Sequence, residues 1–157
     1  MAGYGAPGVS TVDATGLVVG VVAARWHGEL VDHMLERALT AAAASRVKPD
    51  DVTVLRVAGS VELPVVAQAL ANRCDAVVAL GVVVRGETAH FDYVCRSVTD
   101  GLTRVALDAG KPVAHGVLTV DSMEQARDRA GLPDSSEDKG WSSTVAALDA
   151  VLAIRAV

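Results

Sequence analysis

Apolar residues in this chain come in blocks of two kinds. Four blocks are short and continuous: residues 17–24 (LVVGVVAA), Val52–Val57 (VTVLRV), Ala76–Val84 (AVVALGVVV) and Val113–Val120 (VAHGVLTV). They have strand length and lack the strict alternation of a half-exposed strand, so they predict strands buried on both faces. Between them, apolar residues recur at helical spacing. Leu30, Met34, Leu35, Ala38 and Leu39 mark one side of a helix over 29–45, and Val94, Val98, Leu102 and Val105 one side of a helix over 90–108. Shorter helices are predicted over 63–72 and 122–130, and a last one over 141–154. Gly110-Lys111-Pro112 breaks the third helix, and Gly131-Leu132-Pro133 opens a polar loop that closes near Lys139-Gly140.

Alternating block strands and helices predict an α/β fold. The expected form is a three-layer, flavodoxin-like sandwich: a four-stranded parallel sheet, right-handed crossovers, and helices on both faces. One domain is expected over 17–157, preceded by a Gly/Ala/Ser/Thr-rich arm, residues 1–16, that is flexible or extended. Ligands bind such sheets beyond the carboxyl ends of the strands. The residues that follow the strands are Arg25-Trp26-His27, Ala58-Gly59-Ser60-Val61-Glu62, Arg85-Gly86-Glu87-Thr88-Ala89-His90 and Thr119-Val120-Asp121; the fourth strand also contains His115.

Composition narrows the function classes. Hydrophobic residues make up 51% of the 157, a high share that points to doubly covered strands, subunit interfaces, or both. No apolar run approaches the roughly 20 residues that span a bilayer, and no signal segment opens the chain, so no membrane partner and a cytoplasmic location are expected. The net charge of -5, without a Lys/Arg cluster, argues against nucleic acid. Cys74 and Cys95 form no CxxC or Cys/His spacing, so both read as structural thiols and no metal site is expected. Neither GxxxxGK[ST] nor GxGxxG occurs, which removes the two common nucleotide fingerprints.

The candidate chemistry leaves two readings at each position. Gly86, Glu87 and Thr88 lie where a strand turns into a helix, so they form either an anion site of backbone N–H groups or a plain capping turn. His90, one turn further, is either a proton-transfer group or a structural histidine. Trp26 either stacks on a flat heterocycle or covers a subunit contact. Glu62 either binds a ligand or favours the dipole of the helix it opens. His33 reads as structural, Trp141 as a helix–helix or subunit contact, and Arg129 and Lys139 alone as isolated cations.

Five blocks taken in order change the weighting: "AARWHGELVD", "VAGSVELPVVA", "ALGVVVRGETAHFDYVC", "GVLTVDSMEQARDRAG" and "EDKGWSSTVAAL". Together they resemble the lumazine synthases of riboflavin biosynthesis, over residues 17–154. The Trp-His pair at 26–27 and the GLP…EDKG loop are similar to the actinobacterial branch. The resemblance implies condensation of 5-amino-6-(D-ribitylamino)uracil with 3,4-dihydroxy-2-butanone 4-phosphate to 6,7-dimethyl-8-ribityllumazine, with release of phosphate and without a cofactor.

The resemblance also implies roles. Trp26 would stack on the pyrimidine; Gly59, Ser60 and Glu62 would hold the ribityl chain; Val82, Val83 and Val84 would flank the pyrimidine edge through their backbone. Gly86, Glu87 and Thr88 would contact the phosphate, His90 would transfer protons, and Lys139 would line the pocket. Arg129 would bind phosphate and His115 would line the pocket, both from a neighbouring subunit. His27, Val57-Ala58 and His115 depart from the commoner family residues, and His115 is the departure closest to ligand. The implied assembly is a homopentamer with active sites between subunits, with riboflavin synthase as an associated partner. The long loop from Gly131 to Gly140 favours an isolated pentamer over a sixty-subunit shell, and the arm is expected to add an edge strand to a neighbour. Two other readings of the same blocks are a non-catalytic flavin or lumazine binder and a structural shell protein.

Overall fold

The computed structural model describes residues 5–8 and 10–157. Its elements run β1 (Val19–Ala24), α1 (Gly28–Ala44), β2 (Val52–Val57), α2 (Leu63–Ala71), β3 (Ala76–Val84), α3 (His90–Ala109), β4 (Val113–Val120), α4 (Met123–Arg129) and α5 (Lys139–Arg155), with a 3-10 turn, Ser60–Glu62, ahead of α2. All four strands are parallel, in the order β2-β1-β3-β4. The expected α/β sandwich is therefore the fold.

The strands explain the high apolar share. Every residue of β1 is buried, and so are the first seven of β3. Alternate residues feed two cores. Val19, Val21, Ala23, Val78 and Leu80 pack against α1 and α5 through Val31, Met34, Leu148 and Val151. Val22, Ala24, Val77 and Ala79 pack against α2 and α3 through Leu63, Leu70, Val98 and Leu102. Covered on both faces, β1 and β3 have no polar side to alternate with, which is why they read as blocks. The expected double burial fails for the edge strand β2, whose residues 53–55 are exposed because no further strand or helix of this chain's described residues covers them.

Differences from the expected boundaries have local causes. β1 begins at Val19 because the Val18 N–H is taken by Asp75 Oδ2 (2.8 Å) rather than by a strand. α5 begins at Lys139, two residues early, because the Asp138 carboxylate caps it, accepting from the Trp141 N–H at 3.1 Å. The expected arm falls partly on residues 1–4 and 9, which lie outside the described residues; its described part carries no helix or strand. Ala14 is nonetheless buried, and its N–H donates to the Ser45 carbonyl at 2.8 Å. Cys74 is buried and Cys95 half-buried, and burial pushes both thiols up, away from the thiolate form.

Candidate active site

The site begins with a mismatch in strand length. β1 pairs with β3 only as far as Ala23 opposite Leu80, while β3 continues to Val84, held by β4 alone through Val84 opposite Val120. Past β1, the chain swings toward β2: the Arg25 N–H donates to Val57 O (2.9 Å) and Ala58 O (3.2 Å). His27 then takes a left-handed conformation (φ 55°, ψ 47°) and α1 starts. The β1-facing backbone of residues 82–84 thus has no strand partner among the described residues, and Val83 and Val84 emerge from the core half-buried.

The exits of β1 and β2 form one wall beside that edge. The Gly59 N–H donates to Glu62 Oε2 at 2.8 Å. A Cβ at Gly59 would sit 3.3 Å from both Glu62 Oε2 and Trp26 Cδ1, so glycine lets the carboxylate and the indole close on the turn. Trp26 is 68% exposed, an unusual cost for so large an apolar ring. Ser60 is buried, and its hydroxyl has no hydrogen-bond partner among the described residues. It lies against Gly81 of β3, where a Cβ would come within 2.6 Å of Ser60 Oγ. Trp26, Gly59, Ser60 and Glu62 are therefore brought together, backed by Gly81.

The other side of the cleft is the turn from β3 into α3. Among the described residues no acceptor serves the N–H groups of Gly86, Glu87, Thr88 or Ala89, and these face the positive end of a 20-residue helix. Thr88 caps only weakly, its Oγ1 accepting from the His90 N–H at 3.3 Å. His90 is the first residue of α3 and is exposed. Arg85, immediately before the turn, is paired with two carboxylates: Nε donates to Asp121 Oδ1 (2.7 Å), Nη1 to Asp92 Oδ1 (3.4 Å), and Cζ stands 4.3 Å over the Phe91 ring.

Three predicted residues lie elsewhere in the same chain. Arg129, ending α4, donates to Gln125 O (3.0 Å) and stands 3.9 Å from the carboxylates of both Asp128 and Glu137. Lys139 opens α5 and borders a groove shared with Trp141 and arm residues 5–8. His115 pairs in register with Ala79, five positions before the Val84–Val120 pair, so at ~3.3 Å per residue it stands roughly 16 Å back along the sheet. It is half-buried, with Nε2 at 2.9 Å from Thr99 Oγ1; burial pushes its imidazole below the ordinary value, and the Lys139 charge adds to this. The remaining candidates are structural. His33 Nε2 meets the Gly131 carbonyl at 2.9 Å, and Trp141 packs under the Arg37 guanidinium of α1 at 5.1 Å. No group of three or more His, Cys, Asp or Glu side chains among the described residues is placed to hold a metal ion.

Two participants went unassigned in the sequence. Gly81 carries a signal, a lone glycine inside a strand pattern, which marks close approach of another group. Arg85 carries none, because its adjacency to the turn suggests an anion ligand, whereas its partners are two aspartates and a ring.

The arrangement offers a flat apolar face, a backbone edge and an anion cradle at the ends of adjacent strands. The model of one family, 6,7-dimethyl-8-ribityllumazine synthase, matches residues 16–155. The chain belongs to the lumazine synthase family. Its relatives in the family include the 6,7-dimethyl-8-ribityllumazine synthase of Salinispora arenicola, 77% identical over 99% of this chain and 92% of that one. That of Thermobifida fusca is 64% identical over 99% and 89%, and that of Mycobacterium avium 56% identical over 96% and 93%. The match spans the whole sandwich, so the wall, the turn and the α4–α5 loop all fall inside it.

Proposed function

We propose that this chain is a lumazine synthase enzyme, a transferase that condenses 5-amino-6-(D-ribitylamino)uracil with 3,4-dihydroxy-2-butanone 4-phosphate to 6,7-dimethyl-8-ribityllumazine and phosphate. One observation carries the reading beyond family membership. The exposed Trp26 indole and the unpaired N–H groups of residues 86–89 stand at the ends of neighbouring strands, so a planar ring and a phosphate would be held side by side. Trp26 stacks on the pyrimidine, whose polar edge meets the unpartnered backbone of Val82, Val83 and Val84. Glu62 keeps one carboxylate oxygen free after serving Gly59, and the buried Ser60 hydroxyl lacks a partner, so both suit the ribityl hydroxyls.

The chemistry then follows. The 5-amino group adds to the ketone and loses water, giving an imine; phosphate leaves, and the ribitylamino nitrogen closes the ring with loss of a second water. Gly86, Glu87 and Thr88 hold the departing phosphate through N–H groups and a hydroxyl, and His90 takes and returns the protons. Holding two reactants in place supplies much of the rate; well-oriented cases reach about 7–11 kcal/mol.

Arg129, Lys139 and His115 lie away from this wall in their own chain, which supports sites completed between subunits: Arg129 and His115 from a neighbour, with Lys139 lining the same pocket. Val65, Tyr93 and Leu107, at 65%, 70% and 77% exposure on α2 and α3, are the apolar surface such contacts would cover. We infer an isolated homopentamer with an arm-to-edge exchange, because the α4–α5 loop is long and internally bonded: Ser136 Oγ donates to Asp128 Oδ2 (2.6 Å) and the Glu137 N–H to Asp128 O (3.0 Å). No helix among the described residues is long and apolar enough to cross a membrane. A cytoplasmic location and association with riboflavin synthase complete the proposal. The test mixes both substrates with purified protein and follows lumazine fluorescence and phosphate release. Acceleration over the spontaneous reaction supports the enzyme; its absence makes the chain a binder, and a megadalton particle in sedimentation rejects the isolated pentamer.

A further inference from the structure

We propose that Arg85 is a positioning residue for the phosphate turn and not itself a phosphate ligand, an inference that rests on assigning residues 86–88 to phosphate. Arg85 still belongs to the sheet, its N–H donating to Val120 O at 2.9 Å. Its side chain reaches over the turn to the first residues of α3, lying on the Phe91 ring and meeting the Asp92 carboxylate, and is anchored from the far side by Asp121. Asp121 is held in turn, its own N–H donating to Gln125 Oε1 at 2.8 Å. One guanidinium thus clips together both ends of the segment whose N–H groups have no acceptor among the described residues and that leads into His90. The turn is exposed and its N–H groups make no internal hydrogen bond among the described residues, so its shape rests on how its ends are fixed; Arg85 supplies that fixing.

Charge decides between strut and ligand. Two carboxylates face one guanidinium, so its charge is more than balanced. Were Arg85 to leave them for a phosphate, Asp92 and Asp121 would be left uncompensated beside a second anion. The fork-and-stack geometry is also specific to arginine, since lysine neither stacks nor divides between two acceptors in this way. The pairs are partly exposed, Arg85 at 46% and Asp121 at 65%, so each adds little to global stability. Positioning and folding are for that reason separable.

The experiment uses full-length Arg85→Ala, Arg85→Lys, Asp121→Asn and the Arg85→Ala/Asp121→Asn double variant. Steady-state kinetics in both substrates, thermal midpoints and a titration with inorganic phosphate read by the amide signals of residues 86–89 are compared. Coupling energies within such a network correspond to factors of roughly 2–100, so the KM for the butanone phosphate should rise about fivefold or more in each single variant. The pyrimidine KM and the thermal midpoint should stay near wild type, lysine should not rescue, and the double variant should be no worse than Arg85→Ala. A direct ligand predicts the opposite sign for Asp121→Asn, which would free the arginine and lower that KM. That sign, additive effects in the double variant, or activity lost only in step with the midpoint overturns the inference. If the wild type does not turn over, the proposed function fails, and the phosphate titration alone decides. Binding weakened in all three single variants sustains the strut; unchanged binding, or no response at residues 86–89 in the wild type, overturns it.

Discussion

Gly81→Ala tests the wall at its tightest joint. The added Cβ would stand 2.6 Å from Ser60 Oγ and 3.2 Å from Leu63 Cδ1, and Ser60 Cβ lies a further step away at 3.6 Å. The first distance is well inside van der Waals contact, and both partners are buried, so the 3-10 turn Ser60–Glu62 must shift outward. Overpacking of this kind costs about 1–3 kcal/mol. For a chain of this length that is a fall in thermal midpoint of roughly 2–4 °C per kcal/mol. Displacing the turn also moves the Gly59 N–H and Glu62 carboxylate against which Trp26 rests, so the KM for the pyrimidine substrate should rise while the phosphate substrate is little affected. Ser60→Ala separates the two effects. It removes the clashing atom, leaves the 3.2 Å contact with Leu63 Cδ1 and the 3.6 Å contact with Ser60 Cβ, and deletes a buried hydroxyl without a partner among the described residues, which is near neutral or stabilising. The Gly81→Ala/Ser60→Ala double variant should therefore recover most of the lost stability but not the pyrimidine KM, because the ribityl chain loses its hydroxyl partner. Calorimetry and steady-state kinetics suffice. A Gly81→Ala protein as stable as wild type, or a double variant no more stable than the single, would refute the packing argument. Ser60→Ala with an unchanged pyrimidine KM would remove the hydroxyl from the site.

Acidification should destabilise the protein through His115. Its folded pKa is lowered, chiefly by burial, so the unfolded chain binds the proton more readily; stability is full above the ordinary value of 6.5 and is lost as pH falls below it. Thermal midpoints from pH 7 to 5 should fall more steeply for wild type than for His115→Asn, and parallel curves would contradict this. His90→Ala should slow turnover on the order of 10²-fold, the low end for a positioned proton-transfer group, because approximation survives its loss; single-turnover fluorescence reads the step. Arg129→Ala should leave the pyrimidine KM alone and raise that for the butanone phosphate roughly 10- to 100-fold, the worth of a hydrogen bond to a charged group; equal KM values in phosphate-release assays would exclude it from the site.

The fold was legible because burial acts on whole elements. β3 coincides with its apolar block because a central strand covered on both faces admits no polar residue along its length. The edge strands β2 and β4 also keep the expected bounds, although they carry Thr53, Arg56, His115 and Thr119 and β2 is exposed over residues 53–55. The boundaries that moved were set by single side chains from distant sequence, Asp75 at β1 and Asp138 at α5. Trp26, Gly59 and Thr88 were legible as candidates because strand exits converge in any parallel sheet. What each touches was not, because contacts between exits depend on relative strand lengths, and no local pattern records that β3 outruns β1 by three residues. Arg85 shows the limit most clearly: sequence adjacency suggests a phosphate ligand, and only the positions of Asp92, Asp121 and Phe91 show the charge to be already committed.

That commitment bears on how a chain of net charge -5 would capture the phosphate of the proposed substrate. Its overall field repels the substrate, so steering gives no help and capture falls to short-range donors. Several of its arginines are bound to carboxylates at hydrogen-bond distance: Arg37 with Asp138, Arg56 with Asp32, Arg85 with Asp121, and Arg155 with Asp75. Arg129 differs in kind. Both carboxylates near it stand at 3.9 Å, beyond a hydrogen bond, and a single carbonyl holds one of its nitrogens. Most of its donor fork is therefore available, on the last turn of a helix that starts immediately after Asp121, the anchor of Arg85. Backbone N–H groups at residues 86–89, from which no side chain among the described residues accepts, add further donors. With Arg129 brought by a neighbour as proposed, amides without internal acceptors and a guanidinium with free donors together form the donor set an acidic protein needs to hold a dianion.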